Sequence, residues 1–468
     1  MRINYYKMLE KENKKRKKIN LNKLMFREYD IRGVFGSDIT EEVSYLIGKA
    51  FASKMTKLGL NKTLLAYDNR ISSPIIEKNV LNGLLDSGIT VYRLGLASTP
   101  MCYFATNHFK VNCSMMITAS HNPKEYNGFK FSYNGIHNAF GEDVKEIYDI
   151  IMNQDFVSGK GEIIDCNIDD EYIKLLTDNI KLGSRKIKVV YDCGNGTTSI
   201  IADRVFDKLN IEKIPLFNVS DGNFPNHHPD PLEEENLKHL KEAVIKNNAD
   251  LGIGFDGDGD RVGVVDEKGN MIDIDKYLLI MWKYLYKKVD NKKAFFDVKC
   301  SNTLERELKK LGVEAVWSRT GNSYTRKISY DGNYPLGGEF SGHLYFRDKF
   351  PGYDDGMYNG IRMIERLSHT KKPLSKLLDG TEKSFSTKEM KFKIADDKKF
   401  AKVEEIKNYC INRGYNVLTI DGVKANFEDG FALVRASNTG PNITVRYEAN
   451  SEKRLKEITD EFNSLLEK

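Results

Sequence analysis

Short apolar runs that close on an aromatic residue and an aspartate recur three times along the chain, in "LLAYDNRISSP", "VVYDCGNGTTS" and "AFFDVKCSNT". Each runs into a polar loop and then a helical segment, so Asp68, Asp192 and Asp297 fall at equivalent points, the ends of three predicted strands. Some 40 to 65 residues after each comes a second strand that ends in a chemically loaded loop: "MMITASHNP", "LGIGFDGDGDR" and "PLGGEFSGH". Strands alternating with helices at this spacing predict α/β units, in which ligands sit at the carboxyl ends of the strands. From about Ser384 the texture changes. "KVEEIKNYCINRG" reads as a helix, "YNVLTIDGVKANF" and "FALVRASNTGPNITVRYEA" as antiparallel strands, and "SEKRLKEITDEFNSLLEK" as a helix with Leu455, Ile458, Phe462 and Leu465 on one face. The expected fold is three related mixed-sheet α/β domains over 25–165, 166–269 and 270–381, followed by a smaller α+β domain over 382–468.

Length and charge narrow the function classes. At 468 residues the chain exceeds what one hydrophobic core organises. Hydrophobic residues make up 40% and charged residues 30%, and no apolar run approaches the ~18 residues of a membrane span, so no membrane role is expected. The net charge of +5 is misleading as a whole-chain figure. Residues 1–24 hold nine Lys/Arg against two Glu, a balance of +7, which leaves −2 for the rest. The basicity thus belongs to a leader, expected to be a disordered arm or an extended start, and not to a nucleic-acid-binding face. The leader lacks the apolar core of a secretory signal. Six cysteines without CxxC pairs fit a reduced, cytoplasmic chain.

The candidate chemistry sits in four loops. In "GFDGDGDRVGVVDEKG", Asp256, Asp258 and Asp260 alternate with glycines, and Glu267 falls at the twelfth position, as a calcium loop of the EF-hand type requires. Two features oppose calcium: the flanks are β-prone where an EF-hand has helices, and the sixth position is Arg261 instead of glycine. At a strand end, alternate side chains face one way, so three carboxylates converge and leave room in an octahedral Mg²⁺ shell for water and a phosphoryl oxygen. The bland alternative is a solvated Asp/Gly turn. "TASHNPKEYNGFK" places Ser120 and His121 directly after a strand, with Lys130 ten residues beyond Ser120. Ser120 is a candidate nucleophile that needs activation, although taken alone a turn or helix cap is the favoured reading; no GxSxG elbow surrounds it. His121 alone reads equally as a structural hydrogen-bonder. "GGEFSGH" offers Glu339, Ser341 and His343, acceptors and donors suited to sugar hydroxyls, against the alternative of a polar hairpin. "VRASNTGP" presents Arg435, Ser437, Asn438 and Thr439, a phosphate-binding set, against an ordinary hairpin. Metal, nucleophile, hydroxyl acceptors and a phosphate clamp together describe phosphoryl transfer to or from a sugar phosphate. His227 and His228 in "NFPNHHPDP" read as a structural loop, because adjacent histidines on a strand point apart.

From about Phe26 onward, through "FREYDIRG", "TASHNPKEYNGFK", "DCGNG", "DGNFPNHHPDP", "DGDGDR", "DVKCS", "GEFSGH", "DDGMYNGIR" and "RASNTGPNITVRYEA", the sequence resembles the α-D-phosphohexomutase family, in its phosphomannomutase/phosphoglucomutase branch. The resemblance implies four domains around a central cleft. It implies a phosphoserine at Ser120 and one Mg²⁺ held by Asp256, Asp258, Asp260 and a phosphoryl oxygen on Ser120. A hexose 1,6-bisphosphate would serve as intermediate and activator while phosphate moves between C1 and C6 of mannose or glucose. Arg261 would offset charge on the transferred group, and His121, Lys130 or Lys299, with a pKa lowered by burial among cations, would act as general acid or base. Glu339 and Ser341 would grip the 3- and 4-hydroxyls that glucose and mannose share. Arg435, Ser437, Asn438 and Thr439 would hold the phosphate that is not transferred, and Tyr29 and Arg32 would line the cleft. Two departures stand out: Asn322 occupies a position where many relatives carry His, and Gly440 one where Thr is common. The implied partner is a small sugar phosphate, for a monomer or homodimer that uses neither nucleic acid nor membrane. The alternatives are a phosphoglucosamine mutase and a non-catalytic metal- or sugar-phosphate-binding protein.

Overall fold

The computed structural model describes residues 19–135, 137–437 and 440–467. The first eighteen positions of the basic leader, and Asn438 and Thr439 of the phosphate-binding motif, lie outside the described residues. The chain forms two compact units, one of the described residues through Leu96 together with Ala105–Asn167, the other of Ala97–Phe104 and the residues from Ile168 onward.

The first unit holds one mixed sheet. In spatial order its strands are Ile31–Val34, Tyr126–Asn134, Cys113–Ile117, Lys62–Tyr67, Thr90–Leu96 and Glu162–Asp165, with His137–Asn138 also paired to Tyr126–Asn134; the last four of the row run parallel, and Tyr126–Asn134 runs antiparallel to the neighbour on each side. The helix Glu41–Lys57 begins where the Thr40 side chain accepts from the Val43 N–H, with Glu41 and Glu42 complementing the positive end of its dipole. It packs closely on the helix Ser73–Leu85 because glycines meet at the crossing. A Cβ on Gly48 would lie 2.4 Å from the Val80 carbonyl oxygen, and one on Gly83 would lie 2.4 Å from that of Tyr45. Ile47, Phe51, Val80, Leu84, Met115 and Phe129 form part of the buried core there, each contributing about 1.5–3 kcal/mol by leaving water.

The second unit carries three sheets. One is ordered Met271–Ile272, Val262–Asp266, Leu251–Phe255, Lys188–Asp192, Glu212–Leu216. The next is ordered Glu314–Ser318, Lys293–Asp297, Leu336–Gly338, Leu344–Phe346. The last is wholly antiparallel, with Phe385–Ser386 and Met390–Lys393 both on Asn442–Ala449, then Gly430–Ala436, Val423–Phe427 and Asn416–Leu418. Helices Lys399–Asn412 and Glu452–Glu467 cover it; Ile458 and Phe462 are buried, with Leu455 and Leu465 packed against the same core. Among the described residues no helix is long and apolar enough to cross a membrane.

The first three sheets share one plan. A middle strand (Lys62–Tyr67, Lys188–Asp192, Lys293–Asp297) has a parallel neighbour on each side, and one of these neighbours turns back through a loaded loop into an antiparallel strand. Asp68, Asp192 and Asp297 sit at the carboxyl ends of the middle strands, where the sequence pattern puts them. The expectation of three related mixed-sheet α/β domains and a fourth, smaller one holds.

Candidate active site

In the first unit, Ser120 follows the strand Cys113–Ile117 and is 1% exposed. Its backbone takes a left-handed φ of 50°, a conformation that costs a residue with a Cβ, while its N–H donates to Thr118 Oγ1 at 2.8 Å. Arg32 reaches the same loop: its Nη1 donates to Asn122 Oδ1 at 2.7 Å, and its Nε pairs with Asp30 at 2.8 Å. Lys130 is buried on the adjoining strand, opposite Met116, whereas His121 and Tyr29 are half-buried. Arg70, which sequence reasoning passed over, is buried beneath the loop and donates to the carbonyls of Ser120, Asn122, Pro123 and Tyr126.

In the second unit, Asp256, Asp258 and Asp260 are all 0% exposed, and their donor atoms lie within 4.8 Å of one another. The loop holds its own shape. Asp256 Oδ1 accepts from the N–H groups of Gly259 at 3.0 Å and Arg261 at 3.1 Å, and the Gly257 carbonyl accepts from the Thr197 N–H and hydroxyl. Thr99 donates through Oγ1 to Asp258 Oδ2 at 2.6 Å. Three hard oxygen ligands in so small a space suit a divalent cation, because without one the like charges oppose each other in a dry site. Strands flank this loop on both sides, and Glu267 accepts from the Ser375 N–H and hydroxyl, so the calcium-loop geometry is absent here.

Arg261 is fixed beside the carboxylates. Its Nε lies 3.8 Å from Asp256 Oδ2 and donates to His343 Nε2 at 3.1 Å, so the ring proton of His343 sits on Nδ1, where Asp354 Oδ2 accepts at 2.6 Å. Burial pulls the guanidinium pKa down, but Asp256, Asp230, Asp260 and Asp258 outweigh it and keep Arg261 charged. Asp354 also pairs with the fully buried Arg326 at 2.5 Å, whose guanidinium lies 3.7 Å from the Tyr103 ring centroid. The next residue, Asp355, caps the helix Gly356–Ser368. Gly356 is required there, since a Cβ would lie 2.4 Å from the Arg261 carbonyl oxygen.

Glu339 is buried, and it accepts from Gly321 N–H and Ser341 Oγ at 3.1 Å each and from the Thr325 hydroxyl. A carboxylate has about four lone-pair sites. Three are engaged, which leaves capacity for one further donor. Asn322 begins the helix Asn322–Gly332 after Gly321. Lys299 corrects an expectation. Burial lowers its pKa, but Glu389 at 3.1 Å, with Asp297, outweighs that, so the amine is raised above its ordinary value and stands as a fixed cation. Arg435 is buried, its Nε paired with Asp421 at 3.0 Å, and the Ser437 carbonyl accepts from Lys399 Nζ at 2.6 Å.

Arg70, Thr99, Asp354, Arg326 and Lys399 thus support the loops without having stood out in the sequence. Two of them had a local signal: Arg70 is a charge two residues past a strand-end aspartate, and Asp354 opens the "DDGMYNGIR" motif.

Family models for phosphoglucomutase/phosphomannomutase match along the chain: α/β/α domain I at residues 23–158, domain II at 170–269, domain III at 273–385 and the C-terminal domain at 389–465. A phosphomannomutase/phosphoglucomutase of Pseudomonas aeruginosa is 38% identical over 94% of this chain and 95% of its own. A phosphoglucomutase of Neisseria gonorrhoeae is 37% identical over 95% of this chain and 96% of its own. Among solved structures, a phosphoglucomutase/phosphomannomutase family protein of Burkholderia thailandensis superposes with a TM-score of 0.88 at 34% identity, covering 96% of this chain and 98% of that one. The chain belongs to the phosphoglucomutase/phosphomannomutase family, the α-D-phosphohexomutases.

Proposed function

We propose that this protein is a hexose-phosphate mutase that interconverts the 6- and 1-phosphates of mannose and glucose through a phosphoserine at Ser120 and a hexose 1,6-bisphosphate. Relatives named phosphomannomutase or phosphoglucomutase at 36–38% identity over nearly the whole chain support mutase activity. The observation that carries the mechanism is the loop of three buried carboxylates with Arg261 fixed beside it, a pairing suited to phosphoryl transfer. Mg²⁺ is the proposed ion, held by Asp256, Asp258, Asp260 and a phosphoryl oxygen on Ser120; when bound it supplies charge neutralisation for the transferring phosphoryl.

The chain's own groups divide the remaining work. Arg261, oriented by His343, offsets charge on the transferred group. His121, next to Ser120 in the chain, or Lys130, buried on the adjoining strand, takes the proton of the attacking sugar hydroxyl, whereas Lys299, held cationic by Glu389, serves as a charge contact. Asn322 donates or accepts without titrating. Glu339 takes one sugar hydroxyl and Ser341 the neighbouring one, both at positions that glucose and mannose share, so discrimination at C2 is weak. Arg435, Ser437, Asn438 and Thr439 hold the stationary phosphate, and Tyr29 and Arg32 contact substrate.

A coupled assay with mannose 1-phosphate, glucose 1-phosphate and glucosamine 1-phosphate tests this reading. Turnover of the first two at comparable kcat/KM, with the third slower, is expected. Preference for glucosamine 1-phosphate would assign the chain to the amino-sugar reaction, and no turnover of any sugar would leave only a binding protein.

A further inference from the structure

We infer that Arg70 is the positioning residue of the Ser120 loop, fixing where the serine oxygen stands and thereby protecting its phosphoryl group from water. The inference rests on the phosphoserine mechanism proposed above. The Arg70 side chain is 0% exposed, and its planar fork is spent on one short stretch of backbone. Nη2 donates to the carbonyls of Ser120 at 2.8 Å and Asn122 at 2.7 Å, and Nη1 to those of Pro123 at 2.7 Å and Tyr126 at 3.0 Å. Nε pairs with Asp68 Oδ2 at 3.1 Å, while Asp68 Oδ1 accepts from the Arg70 N–H and the Ser73 hydroxyl. The far end of the loop is pinned to the same segment, because Asn127 Nδ2 donates to the hydroxyls of Ser72 at 2.8 Å and Ser73 at 2.9 Å.

This arrangement explains how Ser120 keeps its left-handed φ of 50°. Such a conformation persists only where the surroundings over-determine it, and Arg70 holds the carbonyl of the strained residue itself. Lysine cannot substitute: it offers three donors on a flexible stem against five in a rigid fork. A loop that drifts brings the phosphoserine out of line with the sugar hydroxyl and opens it to water. Water oxygen then bonds to phosphorus, the P–Oγ bond breaks, Oγ takes up a proton and inorganic phosphate leaves, so the enzyme drops out of the cycle.

The test compares Arg70→Lys with the unaltered enzyme on glucose 1-phosphate. Intact mass reports phosphate on Ser120 during turnover, a phosphate assay reports its release, and urea unfolding reports the folded fraction. A fall in kcat on the order of 100-fold is expected, with KM little changed, faster release of inorganic phosphate per turnover, and activity that depends on continued addition of hexose 1,6-bisphosphate. Asp68→Asn, which weakens the pair while keeping its shape, should show the same leak in milder form and covers the case in which Arg70→Lys does not fold. Wild-type kcat and phosphate retention in either folded variant would overturn the inference, as would a loss of rate matched by the unfolded fraction alone. Absence of phosphate or turnover in the unaltered enzyme would instead overturn the proposed function.

Discussion

Replacing Asp258 with Asn removes one negative charge from a loop in which three buried carboxylates have donor atoms within 4.8 Å of one another. Two unit charges at that separation repel by about 3.5 kcal/mol at an effective dielectric of ~20, and Asp258 faces two such neighbours. Arg261, 3.8 Å from Asp256, offsets part of this. The hydrogen bond from Thr99 Oγ1 survives, because an amide oxygen accepts it as well. Without metal, Asp258→Asn is therefore expected to be more stable than the unaltered protein by about 1–3 kcal/mol. Metal acts in the opposite direction. At a Mg²⁺ concentration 100 times Kd, the unaltered protein gains about 2.7 kcal/mol by linkage, whereas two carboxylates bind the ion too weakly to gain as much. Urea denaturation of both proteins in EDTA and across a Mg²⁺ series measures both effects. A variant less stable than the parent in EDTA, or an equal gain from Mg²⁺ in both proteins, would refute the reasoning.

Ser120→Ala should leave the urea midpoint near that of the parent and abolish mutase turnover even with added bisphosphate; a retained rate in the coupled assay would exclude the covalent route. Arg326→Met removes the guanidinium that neutralises the fully buried Asp354, while the His343 N–H still reaches it, and should cost about 3–5 kcal/mol by chemical denaturation. A loss below 1 kcal/mol would show the pair to be dispensable. Burial pushes the Asp355 carboxyl from 3.8 up to about 7, despite hydrogen bonds from the Tyr172 hydroxyl and the Tyr358 N–H. A raised folded-state pKa means that stability present below about pH 4 is lost as pH rises towards 7 and ionisation is forced in a dry site. Asp355→Asn, which can still cap the helix, should thus gain on the parent between pH 4 and pH 8 by about 2–4 kcal/mol. A stability gap that stays constant with pH would contradict this.

The repeat was legible because it is written in local pattern. Strand, aromatic, aspartate and loop recur in the same order, and the structure builds three sheets of one plan from them. The loaded loops were legible in part: the density of Asp and Gly marked one of them, but Asp256, Asp258 and Asp260 converge because the chain turns between Phe255 and Val262, and not because they alternate on a strand. What holds the loops was not legible, because the partners are distant in sequence: Thr99 meets Asp258 across 159 positions, and Arg70 meets Ser120 across 50. Direction of titration also escaped the sequence. Lys299 looked like a lysine among cations, but Glu389, 90 positions on, reverses the sign. Glu339 stood out as an acceptor for sugar hydroxyls, and only the fold shows Thr325, Gly321 and Ser341 already drawing on it.

The three like sheets also divide labour between loops. Behind each loaded loop stands the carboxyl end of the middle strand or the segment that follows it: Arg70 behind Ser120, Thr197 behind Gly257, and Asp297, which accepts from the Phe340 N–H, behind Glu339. Retention comes from the back and reactivity is displayed at the front. In the proposed mechanism one plan thus serves a nucleophile carrier, an ion holder and a sugar reader, and the differences lie in the loop tips. A change of substrate range is accordingly expected from substitutions at those tips, with the rear anchors left untouched.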